Sequence, residues 1–68
     1  MTFEEKLKEL RNKTGLSQKQ TAEVLEITLR QYQRFELGEQ RPGYDNLIKI
    51  ADHFAVSLDW LTGRTDQR

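Results

Sequence analysis

Residues 28–36 read TLRQYQRFE, and this short run holds the side chains best suited to chemistry. With ~100° of rotation per residue, a helix through it carries Tyr32 and Phe35 on one side and Arg30, Gln33 and Arg34 on the other. The aromatic pair anchors the helix and the polar trio faces away. Lysine and glutamate are the common fillers of an exposed helix face, yet this face carries arginine and glutamine. A guanidinium matches the N7 and O6 acceptors of guanine, and a carboxamide matches the N6 and N7 edge of adenine. The ordinary alternative is a solvated outer face such as any surface helix has. Leu29, apolar at the first turn, is either a partial core residue or a contact for a thymine methyl.

Other chemistries are poorly supplied. The chain has no cysteine, so it has no disulfide, thiolate metal site or cysteine nucleophile. His53 is the only histidine, and no nucleophile with an orienting acid accompanies it. No enzyme activity, cofactor or metal is expected. Glu36 falls beside Tyr32 on the inward side of the same helix. An ionised carboxylate there needs a partner, because leaving it unpaired in the interior is costly. Arg11, flanking the Leu7 side of the first helix, is the expected partner, in an ion pair that locks the first helix to the third.

The punctuation around this run is helical from end to end. Thr2 with Glu5, Ser17 with Gln20 and Thr28 with Gln31 have the spacing of capping boxes. Gly15 and Gly38 are helix stops. A helix opens at Ser17 and runs through Leu25, and another fills residues 29–37. After "GEQRPG", Leu47, Ile50, Ala51 and Phe54 recur at helical spacing, and Ser57 opens a last short helix from Leu58 to Thr62. No alternating strand pattern and no repeat occurs. The expectation is an all-α fold of five short helices burying Leu7, Leu10, Ala22, Leu25, Ile27, Phe35, Leu47, Ile50, Phe54 and Leu61. Residues 1–64 form the domain and residues 65–68 a flexible C-terminal tail. Only Glu26, Ile27 and Thr28 separate the second and third helices, which forces a sharp crossing.

The 68 residues hold eleven basic and eleven acidic side chains, so net charge does not name a partner. A surface facing a polyanion must be locally basic. No apolar run approaches the ~20 residues of a membrane span, and the cysteine-free composition fits the cytoplasm. Tyr44, Ile48 and Trp60 extend the apolar surface of the C-terminal half, and two readings stand: they complete the core, or they form a homodimer contact.

The stretch LSQKQTAEVLEITLRQYQRFELGEQRPGYDNLIKIADHFAVSLDWLTGR resembles the Xre-type, phage-repressor and Cro-like helix-turn-helix domains. The likeness runs from Phe3 to Arg64. Its marks are the LSQ before the second helix, the small Ala22, the Phe35-Glu36-Leu37-Gly38 ending of the third helix, Pro42 in the following loop and the stretch IADHFAVSLDWLTG. The resemblance implies a five-helix lambda-repressor-like bundle with a central helix-turn-helix. It implies a sequence-specific regulator of transcription, with repression the favoured direction, that reads a double-stranded DNA operator through the major groove. Leu29, Arg30, Gln33 and Arg34 match its base-contacting positions. Gln18, at a positive helix-dipole end, and Arg41 match its phosphate contacts, and Arg11 and Glu36 match a structural ion pair. Homodimerisation through the C-terminal half is a family habit. The rival reading is a protein-interaction module on the same fold, an antitoxin-like or anti-repressor partner, which an apolar outer face on the third helix would favour.

Two departures from the family pattern matter, at Glu26 and at the Thr21–Val24 pair. Glu26 stands where glycine is common, and a left-handed backbone there costs roughly 1–2 kcal/mol. Thr21 and Val24 reverse the usual aliphatic and polar positions, read here as packing variation. Glu39 places a negative charge in the loop, where it repels phosphate.

Overall fold

The computed structural model describes residues 1–68 as α1 (Phe3–Thr14), α2 (Gln18–Val24), α3 (Leu29–Leu37), α4 (Tyr44–Phe54) and α5 (Leu58–Leu61). There is no strand, and the extents are 28 × 23 × 20 Å. α3 packs against both α1 and α2, and α4 packs against α5.

The helix starts follow local side-chain chemistry. Thr2 Oγ1 accepts the Glu5 backbone N–H at 3.2 Å, and Glu5 Oε1 accepts the Thr2 N–H at 2.8 Å. Ser17 and Gln20 make the same reciprocal pair. Thr28 makes only half of it: its Oγ1 accepts the Gln31 N–H at 3.1 Å, with no return bond from Gln31. Ser57 Oγ accepts the Trp60 N–H at 3.0 Å. α2 and α5 are each one residue shorter than expected, because Leu25 and Thr62 serve as their C-caps.

α2, α3 and α4 end in one hydrogen-bond pattern, the Schellman motif, which requires a left-handed residue just past the helix. At the end of α3 that residue is Gly38, with φ of 76°. Its N–H donates to Phe35 O at 3.3 Å, and the Glu39 N–H donates to Arg34 O at 3.0 Å. An added Cβ at Gly38 would collide with the Glu4 carboxylate. At the end of α2 the residue is Glu26, with φ of 60°. Its N–H donates to Glu23 O at 3.1 Å, and the Ile27 N–H donates to Ala22 O at 3.0 Å. The turn into α3 therefore takes the glycine-favoring shape without glycine. Ala55, φ 56°, does the same after α4.

Leu7, Leu10, Ala22, Leu25, Phe35, Ile50 and Leu61 are buried, joined by Phe3, Tyr32, Ala51 and Trp60. Ile27, Leu47 and Phe54, expected inside, are only partly buried and pack against this core. A domain this small has few fully enclosed positions. Thr21 is fully buried, and its hydroxyl donates to Ser17 O at 2.9 Å, which lets a polar residue occupy the aliphatic position. Lys49 Nζ donates to Leu25 O at 3.4 Å and so ties α4 to the negative end of α2.

Of its two readings, Trp60 follows the first and completes the core. It is 5% exposed within the single chain, so it is unavailable to a second copy. Lys6 Nζ donates to Trp60 O at 2.6 Å and lies 4.9 Å from the indole centroid. The Arg68 guanidinium lies 4.5 Å from the same centroid and bonds the Glu9 carboxylate. The Ser57 N–H donates to Arg68 O at 3.0 Å. Arg68 thus reaches back across α5 to α1, where the indole face attracts a cation and Glu9 stands beside it.

Candidate nucleic-acid interface

α3 is divided sharply along its length. Tyr32 and Phe35 are fully buried and Glu36 is 3% exposed, while Arg30, Gln33 and Arg34 are exposed. Leu29, at the leading end, is 39% exposed, too open for a core residue. The helix starts after the tight turn at Glu26, and its polar edge has no other element over it.

Beneath that edge lies a polar hub. Arg11 Nε donates to Glu36 Oε2 at 2.5 Å, and Arg11 Nη2 donates to Oε1 at 3.3 Å. The Tyr32 hydroxyl donates to Oε2. Gln18 Nε2 donates to Oε1 at 3.0 Å. Arg11 Nη1 reaches Leu16 O at 3.1 Å, which ties the α1–α2 connector to the same hub. No buried side-chain nitrogen or oxygen is left without a partner.

Burial of Glu36 pushes its carboxyl pKa up, but the bonds from Arg11, Tyr32 and Gln18 outweigh that and hold it below the usual carboxylate range. Burial, with the neighbouring carboxylate, pushes the Tyr32 phenol well above its usual range, so it remains a protonated donor. The bond to Glu36 raises the Arg11 guanidinium against the opposing effect of burial. The hub is a charged pair with every acceptor lone-pair direction addressed, the condition under which a buried ion pair is tolerated.

The hub reaches the surface through one side chain. Gln18 donates inward to Glu36, and its Oε1 accepts Gln33 Nε2 at 3.2 Å. Two residues assigned separately to phosphate and base contact are therefore in direct contact. Arg30 and Arg34 take part in none of the four ion pairs of the chain and in no side-chain hydrogen bond, so both guanidinium groups are free. Arg41 is exposed in the loop after α3, beside the exposed Glu39. Sequence reasoning took Tyr32 for an apolar anchor and missed its hydroxyl bond to Glu36. The i,i+4 spacing of the two was a visible signal. No sequence signal joined Gln18 to Gln33.

A tight α2–turn–α3 unit, held by three further helices and presenting the polar edge of α3, defines a lambda-repressor-like helix-turn-helix domain. The helix-turn-helix family model (HTH_3) matches residues 7–61, and the chain belongs to this Xre-type family. It is 39% identical over 64 residues to the cryptic phage CTXphi transcriptional repressor RstR of Vibrio cholerae serotype O1, covering 94% of this chain and 57% of that protein. It is 35% identical over 66 residues to the HTH-type transcriptional regulator ImmR of Bacillus subtilis, covering 97% of this chain and 52% of that one. The chain thus spans about half the length of these curated relatives. Among solved structures, a transcriptional regulator from Listeria innocua superposes with a TM-score of 0.86 at 33% identity, over 98% of this chain and 63% of that one. The P22 c2 repressor, crystallised with a synthetic operator, also superposes with a TM-score of 0.86, over 91% and 94% of the two chains. At 19% identity this second likeness establishes the fold alone.

Proposed function

We propose that this domain reads double-stranded DNA in a sequence-specific way within a cytoplasmic regulator of transcription, and that its effect is repression. One observation carries the reading: two unpaired arginines, with Gln33 between them, line the exposed edge of a helix whose opposite edge is locked into the core. An apolar outer edge would suit the interaction-module rival; this edge is polar and cationic. The relatives with printed functions are transcriptional regulators, a repressor and an activator among them, which supports the regulatory reading.

In this reading α3 enters the major groove. Arg30, Gln33 and Arg34 address base edges, and Leu29 meets a thymine methyl at the leading turn. Arg41 and the remaining amide N–H of Gln18 face phosphate oxygens, which position the domain without specifying sequence. Residues 1–64 are the reading domain. A second copy, packed through Tyr44, which is 76% exposed, and the half-buried Ile48, would place two α3 helices on half-sites ~34–36 Å apart.

The test is a binding titration against a site selected from a random DNA pool and against its single-base variants, at two salt concentrations. Arg30→Ala, Gln33→Ala or Arg34→Ala is expected to lose about 1–3 kcal/mol on the selected site and to relax preference at one base pair. Arg41→Ala is expected to weaken all sequences alike and to flatten the salt dependence by about one released ion. If the three α3 variants all bind the selected site as tightly as the parent, the proposal falls.

A further inference from the structure

We propose that Glu36, acting through Gln18, fixes the orientation in which the Gln33 carboxamide is presented, making Gln18 and Glu36 positioning residues that select adenine over guanine at one base pair. The inference rests on the reading of α3 as the DNA-facing helix.

Donor and acceptor polarity sets the orientation of each amide. An ionised carboxylate only accepts hydrogen bonds. Glu36 is surrounded by donors: two nitrogens of Arg11, the Tyr32 hydroxyl and Gln18 Nε2. Gln18 must therefore turn its NH2 inward, because its oxygen there would face carboxylate oxygen. Turning the NH2 inward points Gln18 Oε1 outward, 3.2 Å from Gln33 Nε2. Gln33 must then present its own NH2 to Gln18, since a flipped amide would set oxygen against oxygen. The charge state of a buried ion pair is thus transmitted through two amides to an exposed side chain.

The consequence is a defined edge. One N–H of Gln33 is committed to Gln18, which leaves one N–H and Oε1 facing outward. That donor–acceptor pair matches adenine, whose N7 accepts and whose N6 amino group donates. Guanine offers two acceptors, N7 and O6, at the same edge. A free glutamine could turn both N–H groups toward them. The held Gln33 cannot, and its oxygen would face O6. A glutamine that is only a phosphate anchor at position 18 has no such effect on base choice, since phosphate contacts carry no sequence information.

The experiment compares the full chain with Gln18→Leu, Glu36→Gln and Gln33→Ala. Each is titrated against the selected site and its single-base variants, after melting curves establish that it is folded. Gln33→Ala identifies the base pair concerned, as the one whose preference disappears. At that pair the parent is expected to prefer adenine over guanine by roughly tenfold or more. Gln18→Leu is expected to reduce the ratio to within about threefold while the preferences at other pairs persist. Glu36→Gln, whose amide permits either polarity, is expected to shift the ratio in the same direction. If it does not fold, the side-chain amide NMR resonances of Gln33 give an independent reading in Gln18→Leu. The separation of its two amide protons is expected to narrow once the bond to Gln18 is lost. A uniform loss in Gln18→Leu, with the adenine preference intact, overturns the inference and leaves Gln18 a phosphate contact only. If Gln33→Ala has no base preference to lose, the inference falls, while the reading of α3 falls only if Arg30→Ala and Arg34→Ala are also silent.

Discussion

α1 sends two cations inward, and they meet opposite solutions. Arg11, near its C-terminal end, meets the buried carboxylate of Glu36, whose remaining capacity is filled by Tyr32 and Gln18. Lys6, near its start, meets no buried anion. Its ammonium is satisfied by the Trp60 carbonyl and the indole face, with Arg68 on the same ring and Glu9 outside. The first cluster is charge against charge with directional bonds, and removing Arg11 leaves the buried carboxylate without a counter-charge. The second is a cation resting on a carbonyl and a soft ring, with exposed ion pairs at its rim. The directional cluster connects to the exposed edge of α3; the softer one connects to the end of the chain. Directionality costs desolvation, and here it is spent where an orientation must be transmitted.

The largest effect that could break this contrast comes from removing one cation at a time. Arg11→Met leaves Glu36 buried and unpaired and is expected to cost about 3 kcal/mol in urea unfolding. Lys6→Met keeps the packed stem and loses one bond and one cation–π contact, for about 1 kcal/mol or less. Equal losses would erase the distinction. Combining Arg11→Met with Glu36→Gln should recover part of the loss, with a coupling above ~1 kcal/mol.

Acid titration sharpens the comparison at intermediate scale. Glu36 is held below its usual range, so folding favours its ionised form. Its contribution is fully present above the ordinary value of 4.5 and fades as pH falls through the lower folded value. Unfolding free energies between about pH 6 and about pH 3 should therefore decline less steeply in Glu36→Gln than in the parent. Glu9 is also lowered, by bonds from Arg68 and then Lys13, but its carboxylate is far more open to solvent than that of Glu36. Glu9→Gln should leave the acid limb close to that of the parent, and a slope as altered as that of Glu36→Gln would contradict the ranking of the two clusters.

The smallest effect belongs to the chain end. Arg68→Ala should lower stability by less than ~1 kcal/mol, with a loss that shrinks in high salt. Trp60, the only tryptophan, should report it as a red-shifted emission. An unchanged spectrum would mean that Arg68 does not cover the ring in solution.

The two clusters also differ in how far they could be read in advance. Glu36 lies on the inward side of the α3 wheel, an ionised residue there demands a cation, and Arg11 lies on the matching side of α1; the two are 2.5 Å apart. Trp60 was open to two readings, because spacing shows that a residue is apolar without showing what fills the space around it. It joins the core cluster with Lys6 and Arg68 on its ring, and no helical pattern links either to it. Glu26 shows a middle case. Its departure from glycine was visible, but only the Schellman bonds at Glu23 and Ala22 show that the left-handed shape is retained.

The sequence by itself determined where helices begin and end, and that Arg30, Gln33 and Arg34 part from Tyr32 and Phe35. Those features depend on contacts within about one turn of helix, which a short window contains. Only the tertiary structure decided that Gln18 meets Gln33, fifteen residues away, and Glu36, eighteen away, or that Lys6 meets Trp60 across fifty-four. Such pairs require two helices to be set at one depth and rotation against each other. That setting comes from packing of the whole core around α3, and no single segment encodes it.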